Sequence, residues 1–185
     1  MRCFLSIPLS DEIKGYLFLL AMGLKKEFKK HNLKASFVPK KNLHLTLMFL
    51  GELSDEKINQ IKNLLSNLKV KPFKFKIKTL GVFPNENFIR VLWVGIEPDK
   101  DVIKLQKNID ESLLDVLGLK RDHEFGAHIT LARLRESKNT IKILHSIKKM
   151  RLKDSEQNVD FFCLYRSELH KDGAKYFLIE KFNFV

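Results

Sequence analysis

Cysteine is nearly absent from the chain: its 185 residues hold two, Cys3 and Cys163, far apart and outside any CxxC spacing. That excludes a disulfide framework and a zinc-finger-type site, and it fits a reducing compartment. Proline (5) and glycine (8) are also scarce, and no linker, low-complexity tract or composition break divides the sequence. Long apolar runs are missing as well. The longest, Tyr16–Leu24, contains a glycine and falls far short of the ~20 residues that span a bilayer. Asp11 and Glu12 arrive before a signal-peptide core could develop. The expectation is a cytoplasmic protein with no membrane contact.

Acidic charge is in short supply. Twenty-two Asp and Glu against 34 Lys and Arg leave a formal net charge of +12 and a pI near 9.7. Such an excess suits a polyanionic partner, because Lys and Arg bound to phosphates release condensed counterions. A lysine-rich surface serves solubility equally well. The 44% hydrophobic and 30% charged shares are those of a globular chain. At this length one domain buries roughly 70% of the surface its unfolded form exposes, so no disulfide or metal staple is needed. No heptad argues for an oligomer, and a monomer is the default.

Along the chain, short apolar strands alternate with amphipathic helices. Cys3–Ile7 reads as a strand, and Ser10 as the N-cap of a helix running to about Lys30, with Asp11 and Glu12 in its first turn. Ala35–Val38 and Leu43–Leu50 read as strands. Ser54 then caps a helix whose stripe is Ile58, Ile61, Leu64, Leu65 and Leu68. From Phe73 the period changes to two, with Phe73, Phe75 and Ile77 alternating with Lys74, Lys76 and Lys78, the mark of a half-buried strand. A strand over Ile89–Ile96, a helix after Asp99, a strand over Ala127–Leu134 and a helix capped by Ser137 follow. Two final strands are expected near Val159–Tyr165 and Lys175–Phe184.

The second half echoes the first. His44-Leu45-Thr46-Leu47 corresponds to His128-Ile129-Thr130-Leu131, and each is followed about ten residues later by a serine that opens a helix. Such a repeat points to two similar lobes sharing one core, over roughly residues 1–85 and 86–185 of a single domain. On a strand, residues i and i+2 share a face. His44 and Thr46 therefore project together, opposite the apolar Leu43, Leu45 and Leu47, and His128 and Thr130 do the same. One His-x-Thr would satisfy itself inside a fold or sit on a solvated face. Two in matching contexts argue for a shared site.

Histidine, with an ordinary pKa of ~6.5, is neutral or charged near neutral pH. With both imidazoles in one cleft, one accepts a proton from an attacking water while the other donates to a leaving alkoxide on the opposite side. In-line displacement at phosphorus needs that opposed arrangement. The threonine hydroxyls would hydrogen-bond the non-bridging phosphate oxygens. No metal or cofactor is required, since two histidines without a carboxylate or cysteine at ligand spacing make a poor cage. His31, His123, His145 and His170 lack the partner threonine and read as surface residues. Phe83, Phe88 and Trp93 could supply a stacking platform for a base.

The twin motifs, KNLHLTLMFLGE over Lys41–Glu52 and AHITLARL over Ala127–Leu134, resemble those of the two-histidine (2H) phosphoesterase superfamily, and most closely its RNA 2′,3′-cyclic phosphodiesterases, also called 2′-5′ RNA ligases. The resemblance covers the whole chain. It implies an α+β, bilobal fold: two antiparallel sheets related by pseudo-twofold symmetry, helices on the outer faces and a central active-site cleft. It implies metal-independent opening of RNA 2′,3′-cyclic phosphate ends, those of tRNA fragments included, to 2′-phosphate, with ATP-independent 2′-5′ ligation as the related alcoholysis. His44 would protonate the departing 3′-oxygen, His128 would activate water, and Thr46 and Thr130 would hold the phosphate; the two histidine roles could also be reversed. Arg133, five residues after His128, would contact phosphate or RNA, although strict alternation gives it the opposite parity to His128. Arg90 is a further candidate for the RNA path. One departure from the family pattern is Ala127, where proline often precedes the second histidine. Two other readings stand beside this one: action on a small cyclic nucleotide or ADP-ribose-derived cyclic phosphate, and an RNA-end-binding module without chemistry.

Overall fold

A computed structural model describes residues 1–118, 125–135, 139–171 and 173–185. Among the described residues there are nine strands and four helices, in the expected order apart from one short strand, Glu156–Val159, that was not expected; the strand expected near Val159–Tyr165 lies at Phe161–His170. The first half holds β1 (Arg2–Pro8), α1 (Asp11–Lys30), β2 (Ala35–Phe37), β3 (His44–Glu52), α2 (Asp55–Ser66) and β4 (Phe73–Asn85). Then come β5 (Phe88–Glu97), α3 (Lys100–Leu117), β6 (His128–Leu134), α4 (Thr140–Lys148), β7 (Glu156–Val159), β8 (Phe161–His170) and β9 (Gly173–Asn183).

The starts of α1 and α2 follow from capping. Ser10 Oγ accepts from the Ile13 amide and Ser54 Oγ from that of Lys57, satisfying donors that the first helical turn leaves free. For α4 the residue at the cap is Asn139, in the left-handed region at φ 62°. The expected cap Ser137, like His123, lies outside the described residues.

All strand pairings are antiparallel, in the order β7-β4-β5-β6-β3-β1-β8-β9, with β2 added beside β6. The two expected sheets are the outward series β3-β1-β8-β9 and β6-β5-β4-β7. They meet through one bridging pair, Leu45 opposite Ile129, so the halves form a single curled sheet. Each half of the chain lends strands to both ends: β4 lies beyond β5, while β8 and β9 lie beyond β1. Helix α1 packs with α4, and α2 with α3. One apolar core runs through the molecule and takes in Leu43, Leu45, Leu47, Ile129 and Leu131, all buried. Cys3 and Cys163 are free and buried. No described helix is long and apolar enough to cross a membrane.

Candidate active site

The central strands β3 and β6 carry the two polar pairs. Leu45 and Ile129 are wholly buried, whereas His44, Thr46, His128 and Thr130 are half-buried on the other face. Alternation across the pleat produces that split. Because Leu45 faces Ile129 in antiparallel register, His44 lies across from Thr130 and Thr46 from His128. The two histidines are then diagonal neighbours, with backbones about 7–8 Å apart.

Each imidazole is locked in the same way. His44 Nδ1 lies 2.7 Å from the Asn42 carbonyl, and His128 Nδ1 lies 2.6 Å from that of Gly126, in each case two residues upstream. A carbonyl only accepts, so each Nδ1 carries a proton and each Nε2 is left for proton transfer. His44 Nε2 is 3.0 Å from Thr46 Oγ1. Aromatic rings brace both histidines. Phe4 and Tyr176 stand 5.0 and 5.4 Å from His44, and Phe83 and Trp93 stand 4.9 and 6.2 Å from His128. Burial pushes the His44 pKa below its ordinary value; the hydrogen bond to Asn42 opposes the shift, and the charges of Lys14 and Arg133 add to it.

Both motif strands carry a β-bulge at the same place. Ser6 faces Thr46 but Leu5 faces Met48, leaving Leu47 as an extra residue; Trp93 faces Thr130 but Leu92 faces Ala132, leaving Leu131 extra. A bulge reverses the alternation beyond it. Leu131 and Ala132 are accordingly both buried, and Arg133 emerges exposed on the face of His128 and Thr130. The parity expected from strict alternation is thereby corrected. Phe49, five residues after His44 as Arg133 is after His128, emerges the same way and is 66% exposed. The signal for Phe49 in the sequence is the superposition of the two motifs, which sets it at the position of Arg133.

His44, Thr46, Thr130 and Arg133 line one cavity of about 420 Å³, together with Phe49 and Tyr176. Four of the expected site residues therefore share one space, and His128 stands on the same sheet face beside Thr130. Arg90 does not join them there. Its guanidinium lies 5.5 Å from the ring centre of Phe88 and donates to the Arg135 carbonyl. Phe83 and Trp93 stack on each other at 4.9 Å and serve as a wall against His128. Among the described residues, no three His, Cys, Asp or Glu side chains come together as a set of metal ligands. The arrangement presents one imidazole, two hydroxyls and a guanidinium around one space, with the second imidazole on the same sheet face, which suits an oxyanion undergoing acid–base chemistry.

Known proteins resemble the chain in sequence and in fold. The family model for LigT-like phosphoesterases matches twice in tandem, over residues 7–93 and 94–176. An RNA 2′,3′-cyclic phosphodiesterase of Methanocaldococcus jannaschii is 36% identical over 182 residues, 98% of this chain and 99% of that protein. A solved structure from Thermus thermophilus superposes with a TM-score of 0.79 at 29% identity, covering 99% of this chain and 97% of that one. Apo LigT of E. coli superposes with a TM-score of 0.75 at 25% identity, covering 99% and 96%.

Proposed function

The chain belongs to the LigT-like phosphoesterase family, and from that membership we propose that it hydrolyses RNA 2′,3′-cyclic phosphate ends to 2′-phosphomonoesters. The observation that carries the proposal is the duplicated imidazole: two histidines on the same face of paired strands, each with Nδ1 fixed on the carbonyl two residues upstream. Fixing Nδ1 presents Nε2 for proton transfer at both positions.

In the proposed reaction His128 Nε2 takes a proton from water as its oxygen bonds to phosphorus. The bond from phosphorus to the 3′-oxygen breaks, and His44 gives that oxygen a proton. Thr46, Thr130 and Arg133 hold the non-bridging oxygens. Their donors offset the charge that builds there, the largest contribution in many such reactions. The two imidazoles fill both proton roles, so no metal is needed. Attack by a ribose 5′-hydroxyl instead of water would form a 2′-5′ linkage without ATP. The proposal includes a single bilobal domain of two pseudo-repeats, supported by the tandem family match, acting as a cytoplasmic monomer with cyclic-ended tRNA fragments among its substrates.

The test is incubation of an RNA oligonucleotide bearing a 2′,3′-cyclic phosphate in excess EDTA. Wild type is expected to yield the 2′-phosphate, and His44→Ala and His128→Ala are each expected to lose about 10²–10⁴-fold in rate. Absence of turnover, formation of the 3′-phosphate, or inhibition by EDTA would overturn the proposal.

A further inference from the structure

His44 is a wall between two cavities. On one side lies the space shared with Thr46, Thr130 and Arg133. On the other lies a cavity of about 300 Å³ lined by Lys14, Lys41, Lys175, Ser6, Tyr165 and Phe177. The three lysines come from α1, from the turn before β3 and from β9, and among the described residues none of them forms an ion pair. Ser6 is fully buried, and among the described residues its Oγ has no hydrogen-bond partner. An orphan buried hydroxyl is costly unless something completes it.

The pseudo-symmetry makes this cavity one-sided. Ser6 faces Thr46 across β1 and β3; the residue facing Thr130 across β5 and β6 is Trp93. The Trp93 indole spreads over Gly81 and Gly95, so tightly that a Cβ on Gly81 would come within 2.2 Å of it. It also stacks on Phe83. The second half thus fills with an indole the place that the first half leaves open beside a serine.

In-line displacement puts the water and the departing 3′-oxygen on opposite sides of phosphorus, so the nucleoside lies on the side of the group that protonates the 3′-oxygen. We propose that the cavity of Lys14, Lys41 and Lys175 is the subsite for the 5′-phosphodiester of the terminal nucleotide. The inference rests on the reading of His44 as the acid. It makes the enzyme prefer a cyclic end that continues into RNA over an isolated cyclic nucleoside, because only the former carries a phosphate for the lysines to hold.

The experiment compares kcat/KM for adenosine 2′,3′-cyclic phosphate with a free 5′-hydroxyl against the same nucleotide carrying a 5′-phosphate, and against a dinucleotide with the same cyclic end. Wild type is expected to favour the two 5′-phosphorylated substrates by about tenfold or more, the worth of one charge-assisted contact. The double variant Lys14→Ala/Lys175→Ala, and separately Ser6→Trp, which rebuilds the plug of the other half, are expected to bring that ratio close to one. A wild-type ratio near one, or a high ratio that survives in the lysine variant, overturns the subsite while leaving the proposed hydrolysis intact. Failure of wild type to open any of the three substrates overturns the proposed function, and the subsite with it.

Discussion

Replacing Gly81 with alanine tests whether the aromatic wall holds His128 in place. Gly81 faces Trp93 across β4 and β5, and a Cβ there would sit 2.2, 2.5 and 2.6 Å from three indole carbons. Bringing the shortest of these to the 3.4 Å of ordinary contact moves the indole by about 1.2 Å. The ring cannot retreat freely, because it stacks on Phe83, which in turn meets His128 edge-on at 4.9 Å. Overpacking of this kind costs about 1–3 kcal/mol. For a chain of this length, each kcal/mol lowers Tm by ~2–4 °C. A displacement of order 1 Å at a reacting group costs up to ~10²-fold in rate. Gly81→Ala is therefore expected to lower Tm by ~2–12 °C in calorimetry and kcat by ~10-fold or more on a cyclic-ended oligonucleotide. Trp93→Phe in the same chain makes room for the methyl, so the double variant should be more stable than the two single changes added together predict. A Gly81→Ala protein with unchanged Tm and kcat would refute the reasoning.

Three other outcomes follow from the charges and contacts. Lys14 helps to hold the His44 pKa down, so Lys14→Ala raises it. With His44 as the acid, the alkaline limb of the kcat/KM profile then moves to higher pH; movement of the acidic limb instead would make His44 the base. Glu27, hydrogen-bonded to Lys30 and Lys149, has its pKa drawn down to about 2. A depressed carboxylate stabilises the fold above its unfolded pKa of ~4.3 and loses that contribution as pH falls toward the folded value. Glu27→Gln should flatten Tm against pH between about 4.3 and 2, and a slope equal to that of wild type would contradict the assignment. Arg133→Ala should lower kcat/KM by ~10-fold or more through loss of a charge-assisted contact, and an unchanged value would remove Arg133 from the phosphate site.

Most of the fold was legible because its signals are local. Ser10 and Ser54 precede helices with acidic first turns, and the apolar parity of Leu43, Leu45 and Leu47 dictates the face that His44 and Thr46 take. The site histidines were legible through duplication. What could not be read was non-local. The bulges at Leu47 and Leu131 arise from how β1 and β5 pair with the motif strands, and nothing in the HxTL segments alone announces them. They decide that Arg133 and Phe49 face the cleft. The long-range return of β8 and β9 to β1 was hidden for the same reason. It brings Tyr176 against His44 and Lys175 into the second cavity. Arg90, a candidate for the RNA path, has its guanidinium taken up by Phe88 and by the Arg135 carbonyl, the latter a contact between residues far apart in the chain.

The division of labour between the two histidines is tested most directly with a leaving group that needs no proton. In an RNA end whose cyclic phosphate carries sulfur at the bridging 3′-position, the departing group is a thiolate, stable near neutral pH because thiols ionise near 8.5. His44→Ala is expected to be severely slowed on the oxygen substrate and to recover to within about tenfold of wild type on the sulfur one. His128→Ala should stay slow, by ~10²–10⁴-fold, on both. Recovery of His128→Ala in place of His44→Ala, or of neither variant, would contradict the account.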